Sequence, residues 1–402
     1  MAVNVNTKHS LIKDFSTLDG KFEEIKNMDL PSFVEFFENS DDSYSAVCER
    51  LTGYKNVLLI GNGGSVNGAR AYYGSLFPNI NFEFVRTMEP DYLNEISSRF
   101  RKENTLVLVV SKSGTTIGVL ESLLFFMEKE YSIAVITSSN GTLHDIAKKN
   151  DWEIIDHPPV GGRFSAGTSC GLAPAYLMGL DTASLNKGLS SAYKRNNPKV
   201  AFHENPALNL ASNMFLLEEK GFLEVFMPVY SYKLSSFLPI IVQLMHESFG
   251  KEEKGQSFFG DLAPESQHHT NQRFFGGRKN ICGLFMRVLN QKDSQSKVNI
   301  PENLKDVPLK NHGLDSISGI PYEKALEFEY EGTYEDAVDK GIPVIDVSLD
   351  RINEENIGEM MGFWQYVAVY SSILRSVNPY DQPMVESSKK ISFSKRLQYK
   401  SH

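Results

Sequence analysis

The residues best suited to chemistry are one carboxylate beside an apolar stretch, one arginine among glycines, and two loops crowded with hydroxyls. Gln243 and Glu247 stand four residues apart, one helical turn on the same face, with Leu244, Met245 and Phe249 around them. Those neighbours put Glu247 at the edge of a buried face. Desolvation there raises a carboxylate's pKa, as a general base working near neutrality requires. In isolation the same pair also fits a solvated stripe. Val160-Gly-Gly-Arg-Phe-Ser165 pairs close-approach glycines with Arg163, a fixed cation suited to a developing oxyanion, though alone it also reads as a surface turn.

Gly61-Asn-Gly-Gly-Ser65 and Ser111-Lys-Ser-Gly-Thr-Thr116 each follow a strand candidate and open a helix candidate. A loop there aims backbone N–H groups and the positive end of a helix dipole at an anion. Ser65, Ser111, Ser113, Thr115 and Thr116 add hydroxyl donors, and Lys112 adds a cation. A strand-to-helix turn with capping hydroxyls is the plainer reading of either loop. The second loop holds more donors than capping requires, which favours phosphate. Neither loop fits GxxxxGK[ST], and GxGxxG fails because Val66 stands where the third glycine belongs, so nucleotide sites are disfavoured.

The elements that must position these residues read as short apolar strands alternating with helical stretches. Asn56–Gly61, Phe82–Val85, Leu106–Val110 and Ile133–Thr137 form a first set. Phe222–Met227, Ile281–Val288 and Ile342–Val347 form a second, with a helical stretch at Ile240–Met245. Such alternation predicts an α/β protein with mostly parallel sheets flanked by helices. Met1 to about Gly53 reads as helical packing outside the main sheet. Residues 289–312 read as a loop-heavy surface insertion. A last helix is expected to begin near Pro383, capped by Asp381.

With 402 residues and a net charge of −9, the chain has room for two or three domains and lacks the basic excess of a nucleic-acid binder. Cys48, Cys170 and Cys282 are widely spaced, which disfavours a disulfide framework or a cysteine zinc site and fits a reducing compartment. The first residues carry no signal pattern, and no apolar run approaches the ~20 residues of a membrane span, so a cytoplasmic protein is expected.

Six motifs then occur in one order: GNGGS at 61–65, SKSGTT at 111–116, VGGRFS at 160–165, QLMHESFGK at 243–251, QHH at 267–269 and NPYDQPMVESSK at 378–389. In this the chain resembles the phosphoglucose isomerase family, most closely its compact archaeal members, over about residues 50–390. The resemblance implies two sugar-isomerase (SIS-type) domains at 51–204 and 205–377, preceded by a helical segment at 1–50 and followed by a helix at 378–402. It implies interconversion of glucose 6-phosphate and fructose 6-phosphate through ring opening and a cis-enediolate, with no metal or redox cofactor. Glu247 then matches the base that moves a proton between C1 and C2, and Arg163 the arginine that balances the enediolate. His268 matches a ring-opening histidine donated by the neighbouring subunit, implying a homodimer, and Lys389 a lysine that assists ring opening. Ser111, Ser113 and Thr116 match phosphate-binding hydroxyls, with Gly64 and Ser65 beside the sugar and Gln243 touching substrate. Gln382 is expected two helical turns before Lys389, on the same face.

The segment after His268 departs from the family's apolar helical run, which leaves His269 as an alternative. Glu265, in a proline-containing loop, is a decoy carboxylate, and His246 points away from Glu247 as a packing residue. Two other readings stay open: a broader isomerase that also takes mannose 6-phosphate, and a noncatalytic sugar-phosphate sensor. The sensor would have no need of Glu247, His268 and Lys389 together.

Overall fold

The computed structural model describes residues 2–39, 43–291 and 295–400. Its twelve strands, in chain order, are β1 (Val3–Asn6), β2 (Asn56–Ile60), β3 (Asn81–Val85), β4 (Thr105–Ser111), β5 (Ser132–Thr137), β6 (Glu153–Asp156), β7 (Glu224–Tyr230), β8 (Ser257–Leu262), β9 (Ile281–Val288), β10 (Pro308–Leu309), β11 (His312–Gly313) and β12 (Val344–Leu349). Two five-stranded sheets carry the fold, ordered β3-β2-β4-β5-β6 and β1-β12-β9-β7-β8.

The first sheet is parallel throughout. Its strands are apolar on both sides because helices cover both faces. Val57, Leu59, Leu106 and Leu108 enter one core, while Leu58, Ile60, Val107 and Val109 enter another, the two-residue alternation of a pleated strand. Successive strands are added on one side of β2 and then on the other, so strand order reverses between β2 and β4. In open α/β sheets the ligand crevice opens at the carboxyl ends of such a strand pair. Both glycine- and hydroxyl-rich loops leave the sheet there.

The second sheet repeats this order in its parallel strands β8-β7-β9-β12, and β1 adds an antiparallel edge on β12. That edge corrects the expectation of purely helical packing before Gly53. Val3 is buried and pairs with Leu349, so a long-range contact recruits the segment into the sheet. Two expected strands also start two residues late, for one physical reason. Phe222 N–H bonds to Leu217 O and Ile342 N–H to Ala337 O, each after a glycine at positive φ (Gly221 and Gly341). Both apolar residues therefore close the preceding helix in a Schellman-type cap before the strand begins. Strand β8 gave no apolar signal strong enough to be expected.

The helix Glu354–Leu374 is buried on nearly all sides and packs against Thr182–Arg195, Pro206–Glu219 and Leu238–Phe249. One continuous core joins it to inner faces of both sheets. The 289–312 segment ends in the small hairpin β10–β11, which runs on to Gly313; its residues 292–294 lie outside the described residues. The last helix runs from Glu386 to Tyr399 after a 3-10 turn at Pro383–Val385. It has no buried residue and is tied to helix Ile117–Glu128 by Arg396 and Glu121 (2.6 and 2.7 Å). Among the described residues, no helix is long and apolar enough to cross a membrane.

Candidate active site

Helix Leu238–Phe249 buries Leu244, Met245, Ser248 and Phe249 and leaves Gln243 and Glu247 on its partly open side. Gln243 Nε2 donates to Glu247 Oε1 at 3.0 Å. The other carboxylate oxygen, Oε2, accepts from Arg163 Nη1 at 3.2 Å. Arg163 comes from the 3-10 turn Gly162–Gly167, and its side chain is 2% exposed against 31% for Glu247. The same guanidinium donates to Ser248 Oγ (2.9 Å), Gln382 Oε1 (2.7 Å), Pro379 O (2.6 Å) and Asp381 O (3.2 Å). Burial lowers Arg163's pKa from its usual value, and the Glu247 carboxylate acts against that shift.

Close backbone contact makes this meeting possible. A Cβ on Gly64 would lie 2.2 Å from both Arg163 N and Gly162 C, and one on Gly63 would lie 3.0 Å from Gln243 Nε2. The loop after β2 is thus pressed between the Arg163 turn and the Glu247 helix. The loop after β4 begins at buried Ser111, whose Oγ donates to Thr116 Oγ1 at 3.3 Å. Thr115 donates to Ser113 Oγ from both its N–H (3.3 Å) and its hydroxyl (3.1 Å). Ser113, Thr115 and Thr116 are exposed, and helix Ile117–Glu128 starts directly behind them. The first-turn N–H groups and dipole of that helix favour an anion there. Lys112 Nζ donates to Pro159 O at 3.2 Å, which links this loop to the one that carries Arg163.

A model of phosphoglucose isomerase matches residues 35–401. The chain belongs to the phosphoglucose isomerase family. A glucose-6-phosphate isomerase from the archaeon Methanocaldococcus jannaschii is 27% identical over 367 residues, covering 88% of this chain and 86% of that one. A glucose-6-phosphate isomerase from Acholeplasma laidlawii is 28% identical over 407 residues, covering 97% and 93%. The crystal structure of a hypothetical protein from Thermus thermophilus matches with a TM-score of 0.85 at 26% identity, covering 98% of this chain and 99% of that one.

Of the residues that the family's motifs mark in this chain, the structure brings Gly64, Arg163, Gln243, Glu247 and Gln382 together. It does not bring His268, His269 or Lys389 to them within one chain. His268 ends a short 3-10 turn, Glu265–His268, and is exposed; Glu265 opens the same turn. His269 Nδ1 lies 2.7 Å from Thr270 Oγ1, and its Nε2 lies 3.8 Å from Asp261. Lys389 is exposed and pairs with Glu386 at 2.7 Å.

The expectation that Gln382 and Lys389 share a helix face is corrected. Gln382 is non-helical, with φ −151° and ψ 67°, and precedes the first turn, so it turns into the site while Lys389 stays on the outer helix. Asp381 does not cap that helix either: Lys251 Nζ takes its carboxylate (2.6 Å) as well as Asp381 O (2.6 Å) and Asn378 O (2.7 Å). His246 accepts on Nε2 from Phe258 N–H at 2.8 Å and takes no part in the Glu247 cluster.

Sequence reasoning missed Asn67, Arg70, Ser248 and Lys251. Lys251 was within reach, since it stands four residues after Glu247 in the same motif. Asn67 and Arg70 look like polar positions on a solvated helix face until the two helices meet.

Proposed function

We propose that the chain interconverts glucose 6-phosphate and fructose 6-phosphate, with Glu247 as the base that moves a proton between C2 and C1. The observation that carries this reading is the Glu247 carboxylate held by Gln243 on one oxygen and by the desolvated Arg163 guanidinium on the other, 3.2 Å away. Removing the proton from C2 of the open aldose leaves negative charge on an enediolate, and a preorganised cation beside the base balances it as it develops. The O2 proton passes to O1 within the enediolate, and Glu247 returns its own proton to C1, giving the ketose with its carbonyl at C2. A phosphate on Ser111, Ser113, Thr115 and Thr116, beside Gly64 and Ser65, anchors the sugar remotely and holds C1 and C2 at the carboxylate. Lys112 adds positive charge to that anchor.

The substrate is mostly a closed ring, so a proton must first reach the ring oxygen while one leaves the C1 hydroxyl. In this reading His268, assisted by Lys389, does this, since an imidazole titrates near neutrality. The working form is a homodimer in which each subunit lends His268 to the other; the exposure of His268 at the end of the turn Glu265–His268 supports that arrangement. The widely spaced cysteines support a cytoplasmic location.

The decisive test is a coupled assay of fructose 6-phosphate conversion by wild type and Glu247→Gln. A folded variant with kcat lower by more than about 10²-fold is expected, since general acid–base catalysis is worth ~10²–10⁴-fold. A variant that keeps wild-type turnover would remove Glu247 from the role. Mixing inactive Glu247→Gln and His268→Ala subunits tests the shared site: recovered activity is expected, and none after subunit exchange would place ring opening elsewhere.

A further inference from the structure

Asn67 and Arg70 lie one turn apart on helix Gly64–Leu76, where it meets helix Leu238–Phe249. Arg70 Nη1 donates to Asn67 Oδ1 at 3.0 Å. Asn67 Nδ2 donates to Gln243 Oε1 at 2.8 Å, and Gln243 Nε2 donates to Glu247 Oε1 at 3.0 Å. A guanidinium has donors only, so its bond takes the oxygen of Asn67 and leaves the amide NH2 for Gln243. Gln243 must then receive on its oxygen and present its own NH2 to the carboxylate. The polarity of two side-chain amides is thus set from one end by a cation and met at the other by an anion. Arg70, Asn67 and Gln243 are all half-buried, where an unmatched amide costs more than in water.

We infer that Arg70 and Asn67 are positioning residues for the isomerisation: they fix the orientation of the Gln243 amide and through it hold the Glu247 carboxylate at the substrate. The inference rests on Glu247 as the base, and neither residue touches the reacting atoms. A mere helix-surface contact would be indifferent to the direction of each hydrogen bond. The relay is not, and that difference is measurable.

Asn67→Asp keeps the size of the side chain and can still accept from Arg70, but it offers Gln243 an oxygen in place of a donor. Gln243 then turns its NH2 to the new carboxylate and sets its own oxygen against Glu247. The expected result is a fall in kcat of about 10–100-fold, the loss of one oriented hydrogen bond to a charged group, with KM changed by less than about threefold. Asn67→Leu, which leaves Gln243 free to keep its orientation, is expected to lose clearly less than Asn67→Asp. Arg70→Lys keeps a donor-only cation and is expected to recover most of the kcat lost in Arg70→Met.

Melting curves accompany each assay. Equal kcat losses for Asn67→Asp and Asn67→Leu, or losses that only follow Tm, would overturn the relay. So would a wild-type kcat in Asn67→Asp. If Asn67→Asp does not fold, the Arg70→Lys and Arg70→Met pair decides alone, and equal kcat values in the two overturn it. Glu247→Gln runs alongside: retained activity there sinks the base assignment itself, whereas an inactive Glu247→Gln beside a fully active Asn67→Asp sinks only the relay.

Discussion

Replacing Gly64 by alanine adds one methyl group at the tightest point of the site. That Cβ would lie 2.2 Å from Arg163 N, 2.2 Å from Gly162 C and 2.6 Å from Gly162 O. Ordinary contacts between such atoms are about 3.5 Å or more, so more than about 1 Å of displacement is needed. The neighbours are backbone atoms, so no side chain can rotate away. Two effects on stability oppose each other. Alanine in a first helical turn gains up to about 1 kcal/mol over glycine, while forced overpacking costs about 1–3 kcal/mol. The net change in Tm is therefore small.

The rate has no such compensation. A shift of about 1 Å between the Arg163 turn and the Glu247 helix costs on the order of 10²-fold. The expected result for Gly64→Ala is a kcat/KM lower by about 100-fold in the fructose 6-phosphate assay, in a protein that melts within a few degrees of wild type. Gly161→Ala, two residues before Arg163, is the internal control. Its nearest neighbour would be Phe164 Cδ2 at 3.9 Å and its φ is −62°, so kcat/KM is expected within about twofold of wild type. Near-wild-type activity in Gly64→Ala, or equal losses in the two variants, would refute the argument that this backbone approach sets the Arg163–Glu247 geometry.

Lys251, 8% exposed, ties the segment carrying Gln382 to the end of the Glu247 helix. Lys251→Met is expected to lower kcat/KM by about 10–100-fold, mostly through the two lost carbonyl bonds because the Asp381 carboxylate is half-exposed and screened; unchanged kinetics would refute the strut. Buried His157 lies with Nδ1 2.8 Å from Pro158 O, and burial holds its pKa below the usual histidine value. Its contribution to stability is full above the unfolded pKa of about 6.5 and is lost as pH falls through the lower folded value, because the unfolded chain binds the proton more readily. Melting His157→Gln and wild type between about pH 7.5 and pH 5 is expected to show a flatter decline for the variant, and parallel declines would count against it.

The part of the site legible from residue order is local. The four-residue spacing of Gln243 and Glu247 places them on one helix face wherever that helix packs, and their 3.0 Å contact follows from it. Apolar strands followed by Gly61–Ser65 and Ser111–Thr116 suffice for a parallel sheet with anion-ready loops, since strand, turn and helix start are neighbours in the chain. What those residues meet depends on long-range packing. Arg163 reaches Glu247 across 84 residues and Gln382 across 219, and no periodicity encodes a meeting over such separations. The same is true of Val3 joining β12, and of Asn67 finding Gln243 across 176 residues. Gln382 shows the limit most clearly. Its spacing from Lys389 suits one helix face, yet Arg163 and Lys251 hold residues 378–382 in a non-helical path with a turn at Pro379–Tyr380, and those long-range donors outweigh the local helical pattern.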